Sequence, residues 1–137
     1  MVGFYRVCIM IRLWEIAFLG LIIGITKIHA DKFAANKPIS PLFHAMWTLI
    51  YFVPGTFLAW RYSSWWLVAA CILERFVFYN VVLNIWRFGW NAKKFFYIHS
   101  GENGSVWDDL ELKWASFYPF AWGIGMLGFI IIQFMYP

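Results

Sequence analysis

Four long runs of mostly apolar residues restrict how this chain can fold more than any other feature. They cover residues 4–28, 42–60, 65–88 and 114–136. An apolar α-helix of about 20 residues crosses the hydrocarbon core of a bilayer, because each residue adds about 1.5 Å along the helix axis. We therefore expect an all-α integral membrane protein. Its four transmembrane helices would form an antiparallel bundle, and residues 1–137 would be a single domain.

The overall composition also indicates a membrane protein. Hydrophobic residues make up 63% of the chain and charged residues 13%, against roughly 45–50% and about 25% in soluble domains. The net charge of +4 does not indicate nucleic-acid binding, because Lys and Arg lie at the ends of the apolar runs, where they meet lipid head groups. Cys8 and Cys71 lie within apolar runs, so we expect free buried thiols and no disulfide.

Basic residues are distributed unequally between the two ends of the predicted helices, and this predicts the orientation. Both termini share one side with the tight turn at residues 61–64, and that side carries Arg6 and Arg61. The other side carries seven basic residues: Lys27, Lys32, Lys37, Arg87, Lys93, Lys94 and Lys113. By the positive-inside rule, the loops 29–41 and 89–113 are cytoplasmic and both termini lie outside. The expected location is a bacterial inner membrane or an equivalent one.

Charged residues also interrupt the first and third runs. Arg12 and Glu15 break the first run, which is too long for the apolar core of a signal peptide, so we expect a retained span. Glu15 and Arg75 each lie 12 residues before a basic residue at the cytoplasmic end of their run, which places both about 18 Å from that boundary. Charges at membrane depth persist when they are paired or face the interior. We predict a network of Glu15 with Arg75, and of Arg12 with Glu74 or Glu15, favouring a structural role over an ion path.

A second polar group lies near the cytoplasmic ends of the runs. Asn80, Asn84 and Arg87 are spaced i, i+4, i+7, which puts them on one helix stripe, and His44 begins the second run at the same boundary. We expect these four side chains to line a polar mouth. Beyond them, the segment 90–98 combines aromatic residues with two lysines and reads as an interfacial piece, in which Lys93 and Lys94 would contact head groups.

This cytoplasmic group supports an alternative function. A small enzyme or binder acting on a phosphorylated lipid would use His44 and Arg87, with Asp108 and Asp109 holding Mg²⁺. The two aspartates also fit the first turn of a helix capped by Ser105, which we favour. Because the histidines lack the spacings that place two ligands on one helix, we predict no metal and no other cofactor. His44 as a single axial ligand of a haem or pigment stays open, and a bound lipid is expected.

Small residues mark the predicted helix contacts. They are Gly20 and Gly24 in the first run, and Ala121, Gly125 and Gly128 in the fourth. Small residues let two membrane helices approach closely. The chain contains no nucleophile elbow, phosphate loop, CxxC pair or dinucleotide fingerprint. We therefore predict a non-catalytic role, as an accessory or scaffold subunit of a membrane complex or as a homo-oligomeric conduit for ions or small solutes.

Overall fold

The described part of the chain consists of helices and contains no strand. In the computed structural model it comprises residues 2–37, 40–98 and 113–135, without the side chains at 2–5, 7, 41, 44 and 51. The four long helices are α1 (Val2–Ala34), α2 (Pro41–Tyr62), α3 (Trp66–Phe88) and α4 (Tyr118–Met135). A short 3₁₀ helix, Ala92–Lys94, follows α3.

Three helical segments are long and apolar enough to cross a membrane. They are Cys8–Ala34, Trp66–Phe88 and Tyr118–Met135. The remaining expected span is the second run, 42–60, and the side chains at its positions 44 and 51 lie outside the described residues. Four membrane spans and the orientation of the termini therefore stay predictions.

The first helix is longer than the sequence analysis expected. It continues to Ala34, so positions 29–34 of the expected loop 29–41 are helical. It ends where Asn36 adopts a left-handed conformation with φ of 51° and the Lys37 N–H donates to the Lys32 carbonyl at 2.9 Å. Such a cap satisfies carbonyls that have no partner within the helix. The boundary was missed because Asn36 follows a polar turn of helix that an apolar window excludes.

The other helix boundaries follow from local chemistry. The Ser40 hydroxyl accepts the Phe43 N–H at 3.2 Å, and a proline occupies the first position of α2; both features are typical of a helix start. Ser63, with φ of 52°, makes the turn into α3. The fourth helix begins at Tyr118, four residues later than position 114 of the expected run. Pro119 then falls in the first turn, where its missing N–H leaves no helical hydrogen bond unmade.

The third helix is the centre of the fold. It contacts α1, α2 and α4, and its interface with α1 is the most extensive. Arg12 lies over the Trp66 ring near the start of α3, and Phe33 lies under Arg87 near its end. The helices α1 and α3 therefore run in the same direction. In contrast, α4 runs against α3, since Trp122 contacts Val77 and Gly128 faces Leu73.

The outer faces of the helices are apolar. Large exposed side chains on α2 and α4 include Leu42, Leu49, Val53, Phe57, Phe120, Ile124, Leu127 and Phe134. A soluble monomer rarely exposes a contiguous apolar surface of this kind. The interior is also apolar, apart from a few polar side chains at the α1–α3 interface.

Candidate functional site

Five polar side chains are buried among the residues that the structure describes, and most of them lie where α1 meets α3. They are Glu15, Thr26, His29, Glu74 and Asn84. Thr26 donates to the Ile22 carbonyl of its own helix at 2.8 Å, so its hydroxyl is satisfied locally. The other four belong to three groups, which follow one another along α1 and α3 from the N-terminal to the C-terminal ends of these helices.

A three-residue cluster joins α1 to the last turn of α4. The Arg12 guanidinium donates to the Glu15 carboxylate at 2.6 Å and also to the side-chain oxygen of Gln133. The Gln133 amide in turn donates to the other oxygen of Glu15. Each side chain of this Arg12–Glu15–Gln133 cluster therefore contacts the other two. A partly buried ion pair is stabilised when further hydrogen bonds satisfy its polar atoms, and Gln133 supplies one such bond to each partner.

Sequence reasoning missed Gln133, although a signal was present. It is the one amide in α4, which otherwise carries apolar side chains, small residues and aromatics. An amide at membrane depth is costly unless it is hydrogen-bonded, so its presence near the end of the helix indicates a polar partner at the same depth.

Arg75 and Glu74, the other two residues of the expected charge network, have surroundings different from those predicted. Arg75 does not meet Glu15 in any described contact; its guanidinium lies 3.4 Å from the centre of the Tyr79 ring, one turn along the same helix. Glu74 is 1% exposed, and its Oε2 atom has no hydrogen-bond partner among the described residues. Of the expected pairs, the structure therefore brings together Arg12 and Glu15, whereas the described contact of Arg75 is with the Tyr79 ring.

His29 forms the second buried polar group. Its Nδ1 atom and the Tyr79 hydroxyl form a hydrogen bond between α1 and α3, and its ring also packs on Phe43 of α2 at 5.6 Å between centroids. This histidine therefore links three helices. Its position was predicted to lie in the loop 29–41, but α1 continues to Ala34 and carries His29 into the core.

The side chains that were expected to line a polar mouth contact different neighbours. Asn80 donates to the Tyr118 hydroxyl of α4 at 3.2 Å. Asn84 donates to the backbone carbonyls of Phe95 and Tyr97 at 2.8 and 2.9 Å. Arg87 lies over the Phe33 ring of α1 at 4.1 Å. The side chain of His44 lies outside the described residues, as do Asp108 and Asp109, so the catalytic alternative stays a prediction.

The segment after α3 folds back onto the helix ends. Asn84 holds its backbone, and the Phe96 ring packs on Tyr118 and Trp122 with centroids 5.9 and 5.3 Å apart. Lys94 lies over the Phe88 and Tyr97 rings. This arrangement leaves Lys93 exposed and Trp90 83% exposed.

The small residues singled out in the sequence differ in their surroundings. A Cβ atom on Gly125 would lie 2.9 Å from the Phe76 ring, and one on Gly128 would lie 3.5 Å from Leu73. Both glycines face α3, and Ala121 on the same stripe is half-buried. Gly20 and Gly24 instead lie on the exposed side of α1, with no atom within 4 Å of an added Cβ. The first glycine pair therefore has no neighbour within the described chain.

The described residues contain no group of three or more His, Cys, Asp or Glu side chains that could hold a metal ion. Cys8 and Cys71 are free thiols. The chain was also compared with known protein families, characterised proteins and solved structures, and no match was found.

Proposed function

We propose that this chain is a small four-span membrane protein with a non-catalytic role, which acts as a subunit of a membrane assembly. Membrane insertion is supported by the three helices of sufficient length and apolar character and by the apolar outer faces of α2 and α4. Within this proposal α2 supplies the second of the four spans, antiparallel to α1 and α3.

The open glycine pair on α1 is the observation that carries the proposal. Leu13, Ala17, Gly20 and Gly24 follow one stripe of the helix at i, i+4, i+7 and i+11, and all four are exposed. Lipid tails are as apolar as the helix side chains, so the hydrophobic effect does not bring helices together in a membrane. Such helices associate instead by close backbone packing at small residues. The glycines that face α3 already have a partner helix, whereas this stripe has none within the described chain.

The charges at the cytoplasmic end of the same stripe favour a second copy as the partner. Lys27 and Asp31 continue the stripe one and two turns beyond Gly24, and they form an exposed ion pair within α1. Two copies in one membrane have the same orientation, so their α1 helices would meet in parallel. Equivalent residues would then lie at the same level, and because Lys27 and Asp31 are about 6 Å apart along the axis, each Lys27 could reach the Asp31 of the other copy as well as its own. A two-fold interface requires this kind of self-complementarity.

Native mass spectrometry of the protein in a mild detergent tests the proposal. We expect the wild type to give a defined oligomer and Gly24→Leu to give a monomer. Gly123→Leu is the matched control, because Gly123 also has no atom within 4 Å of an added Cβ but lies on α4. The control should keep the oligomer. A wild type that is monomeric without a co-purified subunit, or an oligomer unaffected by Gly24→Leu, contradicts the proposal.

A second candidate, an oligomeric conduit for ions or small solutes, is favoured by the buried carboxyl groups. Glu15 and Glu74 lie inside the helix bundle, and Glu74 has an oxygen with no hydrogen-bond partner in the described part of the chain. Polar groups at membrane depth mark solute pathways in many transport proteins. Liposomes containing the wild type should then show flux that Glu74→Gln abolishes while the oligomer persists. Wild-type liposomes as tight as protein-free ones would rule this candidate out.

A further inference from the structure

We propose that Glu74 of α3 is a proton-binding site, at which the carboxyl group holds its proton at neutral pH in the interior of the helix bundle. Glu74 is 1% exposed, and no N–H or O–H group among the described residues donates to its Oε2 atom. The inference rests on the packing of α1, α2 and α3, and it holds whether or not the chain forms an oligomer or conducts ions.

The neighbours of Glu74 along its own helix are buried as well. Cys71 lies about one turn before it and Val77 about one turn after it, and both are buried. The α2 helix lies against this part of α3, because a Cβ atom on Gly55 would be 3.8 Å from the Cys71 sulfur. The same Cβ atom would be 2.9 Å from the ring nitrogen of Trp14 on α1. Three helices therefore meet beside Glu74 and shield it from solvent.

No described contact joins the Glu74 carboxyl to a cation. The charge that acts on it from α1 is that of Glu15, which is another carboxylate. Arg12 donates to Glu15 at 2.6 Å, and Arg75 of α3 lies over the Tyr79 ring. Glu15 therefore has a basic partner among the described contacts, and Glu74 does not.

The other two helices bring no charge to the level of Glu74. The sequence of α4 contains no acidic or basic side chain from Tyr118 to Met135. In α2 the basic residues are His44 and Arg61, which belong to the first and last turns of that helix. The electrostatic surroundings of Glu74 are therefore set by α1 and by α3 itself.

These surroundings favour the neutral acid over the carboxylate. A carboxylate that is buried without a cation loses the water that stabilises its charge, and such a group takes up a proton instead. The negative charge of Glu15 acts in the same direction, because it repels a second carboxylate. A protonated carboxyl also has an O–H donor, which can bond to a helix carbonyl through the second lone pair of that oxygen. A proton is the ligand for which one carboxyl group suffices, whereas a metal ion requires several ligands.

Infrared spectroscopy of the purified protein at neutral pH tests the inference, because a protonated carboxyl has a C=O stretching band at higher frequency than the bands of a carboxylate. The protein is labelled with glutamate that carries ¹³C in its side-chain carboxyl group, and it is kept in a detergent without ester groups. Solvent-exposed carboxyl groups have pKa values of about 4, so they give no acid band at neutral pH. We expect the wild type to show an acid band that the label shifts to lower frequency, and we expect Glu74→Gln to lose it.

Asp31→Asn is the matched control, because Asp31 is an exposed acid of α1 that pairs with Lys27. This variant should keep the labelled band. A second variant keeps the inference testable if Glu74→Gln does not fold: Glu74→Asp should keep an acid band, but labelled glutamate should no longer shift it. A wild type without an acid band from glutamate overturns the inference, and so does an unchanged labelled band in Glu74→Gln or Glu74→Asp.

Discussion

The glycines of α4 allow a sharp test of how this helix packs on α3. A Cβ atom on Gly125 would lie 2.9 and 3.0 Å from two ring atoms of Phe76, closer than carbon atoms approach without displacement. The ring cannot move freely, because it packs edge-on against Tyr118 with centroids 5.9 Å apart. On the same helix, a Cβ on Gly123 meets nothing within 4 Å, and one on Gly128 makes an ordinary contact of 3.5 Å with Leu73.

These distances predict opposite effects of the same substitution. Replacing glycine by alanine inside a helix stabilises it by up to about 1 kcal/mol, and this gain is shared by all three sites. Overpacking a well-filled interface costs about 1–3 kcal/mol, and this cost applies to Gly125 alone. We therefore expect Gly125→Ala to be about 1–3 kcal/mol less stable than Gly123→Ala, with Gly128→Ala close to the latter.

The measurement is reversible unfolding of each purified variant in mixed micelles with increasing SDS, followed by tryptophan fluorescence. A further variant identifies the cause: adding Phe76→Leu to Gly125→Ala should recover part of the loss, since it removes the ring atoms that the new methyl group meets. If Gly125→Ala were as stable as Gly123→Ala, α4 would not pack on α3 through this stripe, and the reasoning would be refuted.

Two further predictions concern hydrogen bonds between elements. In a double-mutant cycle of Arg12→Ala and Gln133→Ala, measured by the same unfolding assay, we expect a coupling energy of about 0.5–2 kcal/mol, because either change leaves Glu15 with one buried donor fewer. Asn84→Ala removes the side-chain amide that donates to two backbone carbonyls of the segment that follows α3, so trypsin should cleave after Lys93 and Lys94 several-fold faster than in the wild type.

Each of these predictions has its own control. For the cycle, additive effects of the two alanines would mean that Arg12 and Gln133 do not share Glu15. For proteolysis, Asn80→Ala is the matched change, because the described hydrogen bond of Asn80 goes to Tyr118 of α4. Equal cleavage of the two asparagine variants would show that Asn84 does not hold this segment in place.

The helices could be predicted because the information for them is local. Long apolar runs predict helices in lipid, since every backbone polar group must be bonded within the segment. The boundaries were less accurate where polar residues continue the helix, as at His29, or where a proline restricts its start, as at Pro119. Hydropathy reports which residues tolerate lipid, whereas caps and turns decide where the backbone stops being helical.

The partners of the charged residues could not be predicted in this way. Among the described contacts, the predicted pair of Arg12 with Glu15 is present, and these two residues lie one turn apart on the same helix. Arg75 follows Glu74 directly, however, and adjacent residues on a helix point about 100° apart. Because Glu74 faces the interior, Arg75 is directed elsewhere and contacts Tyr79 on its own helix. The position of a residue along the helix axis does not predict the direction in which its side chain points around that axis.

The sequence by itself therefore determined the helical class, the approximate helix positions and the set of polar residues that need partners. Tertiary structure decided which partners they have, because contacts depend on the rotation and register of each helix against its neighbours. The glycines illustrate the difference. Gly24 and Gly125 have similar apolar neighbours in the sequence, yet Gly125 packs against Phe76, whereas Gly24 lies on an open face. No local pattern distinguishes them, because the distinction lies in the atoms of another helix.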